Sequence, residues 1–498
     1  MLIMTQLYST SVLLILIGYF LFFRPATSTP EPTPGVVHHF VRDSVPEAVL
    51  AQAQTNFETY CTGCHGQQMQ AFVDREWKHG NAKEELVASI TNGYSGPGMP
   101  SFKATFSKEE IEGLATYILT GIERVDEYAF QEETLATDTF QTETLQFDLD
   151  TLVSDMGSPW GMAFLPNGDM LVTEKEGTLY RLTADRQLQP IEGLPEILVE
   201  GQGGLFDVVL HPDFTDNHLV YLSYAAFKTE GEDTLSTTAI TRAKLDGNAL
   251  SNQERIFEAL PYSTTRHHYG ARMAFDPDGY LYFSVGDRGN RDENPQNLDN
   301  HCGKIHRIND DGSVPGDNPF VDEKGAMPTI YSYGHRNPQG MAVHPATGEV
   351  WTHEHGPRGG DEVNIIRKGE NYGWPVISYG INYDGTSFTQ LTEKEGMEQP
   401  LHYWVPSIAP CGAAFVTGDR YPGWEGNFLV GSLRFEYLNR CQVTEQAVTG
   451  EELLMENIGR LRSVATGPDG YVYVGVEEPG AIYRLVPIDG LASLPDER

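Results

Sequence analysis

The sequence predicts two folded parts in series, a small all-α domain followed by an all-β six-bladed propeller. Three observations predict this. Between about Pro46 and Arg124 apolar residues recur at helical spacing, with Ile111, Leu114, Ala115 and Ile118 on one face. From about residue 150 short apolar strands take over, and one strand–turn–strand phrase recurs six times. The 498 residues leave room for two or three domains at ~150 residues each, and 40% hydrophobic with 11% aromatic side chains can fill large cores.

Residues 1–24 carry no charge before Arg24, and Val12–Phe23 is almost wholly apolar. At ~1.5 Å per residue the uncharged stretch reaches ~34 Å, the width of a bilayer. It reads as a signal peptide or a membrane anchor, since neither a basic leader end nor a small-x-small cleavage site stands out. Residues 25–45 form a linker, Pro/Thr-rich in PATSTPEPTPGV, that builds no core. Residues 46–124 hold a helix with Phe57 and Tyr60, a helix over Lys83–Asn92, and a last helix capped by Ser107 with Glu109 and Glu110 in its first turn. Residues 125–149 are acidic and weakly patterned, a second linker.

Residues 150–490 hold the repeats. They begin with GMAFLPNGDMLVTEKEGTLYRL (161–182), FDVVLHPDFTDNHLVYLSYA (206–225) and RMAFDPDGYLYFSVGD (272–287). MAVHPATGEVWTHEHG (341–356), GWEGNFLVGSLRFEYLNR (423–440) and RSVATGPDGYVYVGVEEPGAIYRL (462–485) continue the series. Each joins apolar strand residues to a turn rich in Pro, Asn, Asp or Gly, and where the turn is Asn-Gly or Asp-Gly (167–168, 278–279, 469–470) it supplies the φ > 0 position of a tight hairpin. A sheet this large exposes edges unless its units are arranged radially, hence a propeller. Function is then sought at one mouth of the central channel, in polar residues near strand ends.

Lys and Arg total 34 against 70 Asp and Glu, a net charge of −36. That excludes nucleic acid as a principal partner, because phosphate binding needs clustered cations. In so acidic a chain, basic clusters ask for a specific reason. Five cysteines are too few for a disulfide scaffold.

Cys61-Thr62-Gly63-Cys64-His65 is C-x-x-C-H, the spacing at which two thioethers hold a porphyrin while the next histidine reaches its iron. Met99, on the Gly/Pro loop GPGMPSF, is the expected sixth ligand. His/Met ligation raises the potential, as an electron acceptor requires. This segment resembles a class I cytochrome c domain over roughly 80 residues, with haem c on Cys61, Cys64, His65 and Met99.

The second part carries, in order, GQGGLFDVVLHPDF (201–214), HHYGARMAFDPDGYLYFSVGDRG (267–289), YGHRNPQG (333–340), HGPRGGDEVN (355–364), ENYGWP (370–375), SLRF (432–435) and GRLRSVATGPDG (459–470). With these motifs it resembles the soluble pyrroloquinoline-quinone (PQQ)-dependent glucose/sorbosone dehydrogenase family. The resemblance implies that Arg336, Arg434, Arg460 and Arg462 hold the three carboxylates of PQQ, and that Gln202 and Asn337 contact its quinone oxygens. Guanidinium forks match carboxylates bidentately, and Arg460 and Arg462, alternating along an extended segment, point to one face. Arg434 stands where the family has a lysine. The resemblance makes His268 the catalytic base and Arg336 the group that stabilises charge on the quinone. His267 occupies the place of the base's acidic partner, where an imidazole cannot orient His268 as a carboxylate would. Gly356 and Pro357 match backbone-carbonyl ligands of a catalytic calcium, with Asp361 supporting that loop; Glu362 and Tyr372 match residues around a second calcium. His353, His355 and Asp361 also invite a zinc reading.

Two readings stand for Cys411 and Cys441: a bridge between neighbouring strands of one blade, leaving Cys302 buried and free, or plain core packing. The two halves together imply an exported, periplasmic quinohaemoprotein dehydrogenase. It would take a sugar or alcohol substrate and pass electrons through its haem to a downstream cytochrome or terminal oxidase. A calcium-dependent propeller hydrolase of lactonase type and a non-enzymatic propeller that docks a cytochrome are the rival expectations.

Overall fold

The computed structural model describes residues 46–61, 80, 82–94, 99–123, 139–383, 387–405, 407–444, 447–477 and 479–488. The signal or anchor expected at residues 1–24 lies outside them, as does the first linker. No helix among the described residues is long and apolar enough to cross a membrane.

The N-terminal part contains α1 (Glu47–Tyr60), α2 (Lys83–Asn92) and α3 (Lys108–Glu123). Helix α3 starts at Ser107 because the cap is reciprocal. Ser107 Oγ accepts the Glu110 N–H at 3.3 Å, and Glu110 Oε2 accepts the Ser107 N–H at 2.8 Å. Phe57 of α1, Leu86 and Ile90 of α2, and Ile111, Leu114, Ala115 and Ile118 of α3 close one core, against which Cys61 and Met99 pack.

The propeller has six antiparallel sheets. The first strand of each blade is, in order, Pro159–Phe164, Leu205–Leu210, Met273–Phe275, Pro338–Val343, Pro410–Phe415 and Leu461–Thr466. These strands neighbour one another in sequence order, and the sixth neighbours the first, so the ring closes. Apolar side chains fill the wedges between sheets: Leu171 and Leu179 meet Val208 and Leu222 between the first two blades, and Trp351 and Val363 meet Phe428 and Val430 between the fourth and fifth.

Closure draws on both ends of the propeller segment. The sixth blade takes three strands from the C-terminal side and pairs Ala481–Pro487 with Gln146–Val153, which in turn pairs with Thr139–Gln141. Part of the stretch expected to be an acidic linker (125–149) is therefore sheet. Its outermost strand, Thr139–Gln141, is largely exposed and polar, so it lacks the apolar signature by which strands are read.

Antiparallel order gives every blade two ends. The hairpin from first to second strand lies at one; the start of the first strand and the end of the second lie at the other. The bridge between Cys411 and Cys441 does not form. These two cysteines sit on the first and third strands of the fifth blade, with Phe428–Ser432 between them. Two strand spacings, ~10 Å, exceed what a disulfide spans. Their thiols and that of Cys302 are free and buried.

Candidate active site

The propeller residues to which the sequence assigns a catalytic or binding role, except Tyr372, fall at the second end of the blades, where a repeated device holds several of them. In four blades a carboxylate closes the second strand and ties down the segment leading into the first strand of the same blade. Glu174 Oε1 accepts the Gly157 N–H at 2.6 Å in the first blade. Asp287 Oδ1 meets His268 Nδ1 at 2.6 Å in the third, and Glu354 Oε2 accepts the Arg336 N–H at 2.5 Å in the fourth. Glu477 in the sixth takes both Arg460 Nε at 3.0 Å and Arg462 Nε at 2.6 Å. Arg460 and Arg462 do therefore reach to one side.

His268 sits at φ +55°, on the loop before Met273–Phe275. Its N–H donates to Gln202 Oε1 at 2.9 Å. The carboxylate that orients it is Asp287, not a neighbour in sequence, which corrects the expectation that His267 leaves the base without an acidic partner. Asp287 accepts in addition from the Gly289 N–H at 2.8 Å and the Trp374 indole N–H at 2.9 Å. Burial pushes the Asp287 carboxyl up, but His268, Arg336 and these hydrogen bonds outweigh it and hold it at about 2. Burial and the Arg336 charge hold His268 below the usual histidine range. The pair is thus a neutral imidazole on an anionic carboxylate, with Nδ1–H committed to Asp287 and Nε2 left as the basic nitrogen. His267 packs edge-on against it, ring centroids 4.6 Å apart, and burial drops its own pKa to about 4.

A chain of contacts links the remaining groups. Arg336 donates from Nη1 to His355 O at 3.1 Å and from Nη2 to the Tyr383 hydroxyl at 3.3 Å. His355 Nε2 donates to Pro410 O at 2.8 Å. Next to it Cys411 Sγ accepts from Arg462 at 3.2 Å, and Arg460 Nη1 donates to Leu433 O at 3.1 Å. Arg434 Nη1 donates to Ser407 O at 3.1 Å. Asn337 Oδ1 accepts the Gly270 N–H at 3.1 Å.

Buried Asp361 organises the loop that begins at Gly356 and Pro357. It accepts from the Gly356 N–H at 2.8 Å, from Ser407 Oγ, and from the N–H groups of Ile408 and Ala409. Burial raises its pKa to about 6 against these bonds. The zinc reading does not survive this arrangement. His353 and His355 spend Nε2 on the carbonyls of Gly412 and Pro410, and among the described residues no group of three such side chains could hold a metal. Glu362 faces Glu354 across two paired strands, and burial together with the Glu354 charge pushes Glu362 up to about 8. Tyr372 does not turn its hydroxyl toward them: it donates to Ile365 O at 2.5 Å, and its ring stacks on His335.

In the N-terminal part Met99 is half-buried, and its carbonyl accepts the Tyr94 N–H at 2.8 Å. Cys61 follows the last turn of α1. Cys64 and His65 lie outside the described residues.

Fold and site together define a class: a six-bladed propeller whose mouth carries a carboxylate-oriented histidine beside clustered guanidiniums, joined to a small helical domain of cytochrome type. Residues 156–484 match the family model described as Glucose / Sorbosone dehydrogenase, and residues 48–118 match Cytochrome C oxidase, cbb3-type, subunit III. The chain belongs to the glucose/sorbosone dehydrogenase family. It is 40% identical over 348 residues to the Aldose sugar dehydrogenase YliI of Escherichia coli, covering 68% of this chain and 93% of that protein. A crystal structure of a glucose dehydrogenase superposes with TM-score 0.66 at 40% identity, over 69% of this chain and 99% of that one. The PQQ-bound form of Aldose Sugar Dehydrogenase from Streptomyces coelicolor gives TM-score 0.55 at 29% identity, over 69% and 98%.

Proposed function

We propose that this chain is an exported, periplasmic quinohaemoprotein dehydrogenase that oxidises an aldose, or a related polyol or alcohol, with PQQ and calcium, and passes the electrons singly to its own haem c. When bound, PQQ supplies a hydride acceptor that no side chain provides. The donor set fits it. Arg460 and Arg462 share one carboxylate, Glu477, while the Arg336 guanidinium donates to the neutral oxygens of His355 and Tyr383. That leaves an excess of positive charge for a tricarboxylate, with Arg434 a fourth cation and Gln202 and Asn337 as amide contacts. A hydrolase of lactonase type needs carboxylates where these arginines stand.

The loop at Gly356 and Pro357 fits a calcium bound through backbone carbonyls. It is packed backbone to backbone, so that a Cβ on Gly356 would lie 2.3 Å from Gly359 O. The buried Glu354–Glu362 pair fits a second cation, which would offset the repulsion that pushes the Glu362 carboxyl up.

In this reading His268 Nε2 takes the substrate hydroxyl proton, and Asp287 holds the ring in the required tautomer and steadies the cation that forms. Arg336 stands ready for negative charge developing opposite the base. The observation that carries the proposal is the 2.6 Å His268–Asp287 contact set beside that cationic cluster. Haem would be held by Cys61, Cys64, His65 and Met99, and a cytochrome or terminal oxidase would accept its electrons. The test is spectroscopic: haem-loaded protein given PQQ and Ca²⁺ is mixed with a panel of aldoses and polyols. Bleaching of the oxidised haem band by at least one sugar is expected; none at all overturns the reading.

A further inference from the structure

We infer that Arg358 is a docking residue that clamps the end of α1 to the propeller mouth, so that electrons reach the haem of the same chain rather than that of another molecule. This rests on the function proposed above. The Arg358 guanidinium lies 4.6 Å from the centre of the Tyr60 ring, and its Nη2 donates to Thr59 O at 3.3 Å. Thr59 and Tyr60 end helix α1, where backbone carbonyls concentrate partial negative charge that a cation offsets. Helix α1 has no basic residue of its own in that last turn, so the propeller contributes the one that sits there.

Both sides of the contact are firmly held. The half-buried Tyr60 ring meets Phe106 edge-on at 5.0 Å and Phe102 at 6.4 Å, against the same core on which Cys61 and Met99 pack. On the propeller, Arg358 and Ile381 exchange both backbone hydrogen bonds at 3.1 Å, and Gly356, two residues earlier, is tied to Asp361. One short loop therefore carries the carbonyls assigned to calcium at Gly356 and Pro357 and, at Arg358, the side chain that grips the residue preceding Cys61. The charge-bearing loop of the oxidising site and the first thioether position are joined through a single guanidinium.

The electron balance is closed. A sugar gives up two electrons and two protons at the propeller site. The electrons pass one at a time to ferric haem, making it ferrous twice per sugar. Each ferrous haem returns to ferric by loss of one electron to an external one-electron acceptor, and the two protons go to solvent.

The test uses the full-length, haem-loaded protein with PQQ and Ca²⁺, as wild type, Arg358→Glu and Arg358→Lys. Because the Arg358 backbone makes the Ile381 bonds, both variants keep the loop. Stopped-flow haem reduction after mixing with aldose is expected to slow on the order of tenfold or more in Arg358→Glu, which replaces attraction to the helix end with repulsion, and far less in Arg358→Lys. Sugar oxidation through an added dye, and the haem spectrum, stay as in wild type. Amide exchange over residues 56–61 and 356–361 rises in Arg358→Glu. Haem reduction in Arg358→Glu at the wild-type rate, or unchanged exchange, overturns the inference. If wild type oxidises sugar through the dye but leaves haem oxidised, the function proposed above fails, and the exchange measurement still decides the docking.

Discussion

The two ends of the blades are built on different rules. At the hairpin end, Gly168, Gly279, Gly348 and Gly470 occupy turns at φ +89°, +85°, +74° and +80°. A Cβ added at Gly168 or Gly279 would meet nothing within 4 Å, so the glycine is there for its backbone angle alone. At the mouth, glycines are there for space: a Cβ on Gly286 would lie 2.3 Å from His268 O. Residues with side chains also take the left-handed region there, among them His268 at +55°, Ala271 at +80° and Ala409 at +51°. Such positions cost of order 1–3 kcal/mol each and persist where the surroundings over-determine them. The hairpin end is written by local turn chemistry; the mouth is held in shape by contacts from distant residues, and that is where charges are buried.

If this contrast holds, the same kind of change should be severe at one end and mild at the other. The largest expected effect is His268→Gln, which removes the proposed base but keeps its size. Turnover with any sugar is expected to fall about 10²- to 10⁴-fold, with PQQ binding by calorimetry unchanged. Next comes Gly286→Ala, which drives a methyl into the His268 carbonyl. About 1–3 kcal/mol of stability should be lost, and activity per folded molecule should drop with it; intact activity would mean that the mouth is looser than described.

A subtler probe is Asp287→Asn. The Asp287 charge raises the pKa of His268 against burial and Arg336, so its removal lets that pKa fall further. Only the neutral imidazole is a base, so the acid limb of kcat/KM in the variant should move to lower pH than in wild type. A limb that moves up would refute the assignment. The smallest effect is Gly168→Ala at the hairpin end: about 1 kcal/mol from the strained angle, seen as a small fall in Tm with activity per folded molecule unchanged.

The candidate residues His268, Arg336, Arg434, Arg460 and Arg462 were picked out by motifs that resemble those of the dehydrogenase family, and the structure sets them at one end of the blades. Asp287, Glu354 and Glu477 each stand inside one of the six repeats, yet sequence reasoning missed them because their signal is positional. A carboxylate at the close of the second strand recurs as Glu174, Asp287, Glu354 and Glu477, and an antiparallel hairpin returns that position to the start of the first strand. Residues 139–149 were missed for another reason. The outer strand, Thr139–Gln141, faces water and carries no apolar run, and its inner neighbour, Gln146–Val153, pairs with Ala481–Pro487 across most of the propeller sequence. The helical domain was easier, because Ser107 and Glu110 cap a helix through contacts three residues apart.

By itself the sequence determined whatever acts over a few residues: the C-x-x-C-H spacing, the Ser107 cap, the strand–turn–strand phrase and its six recurrences. Turns, caps and side-chain alternation depend on neighbours along the chain, so they leave a local signature. Only the tertiary structure decided which carboxylate serves His268, which one two arginines share, and that Arg358 meets a helix end 299 positions away. Those pairings exist because closing the ring brings strand ends together at one mouth, and no spacing along the chain encodes that closure.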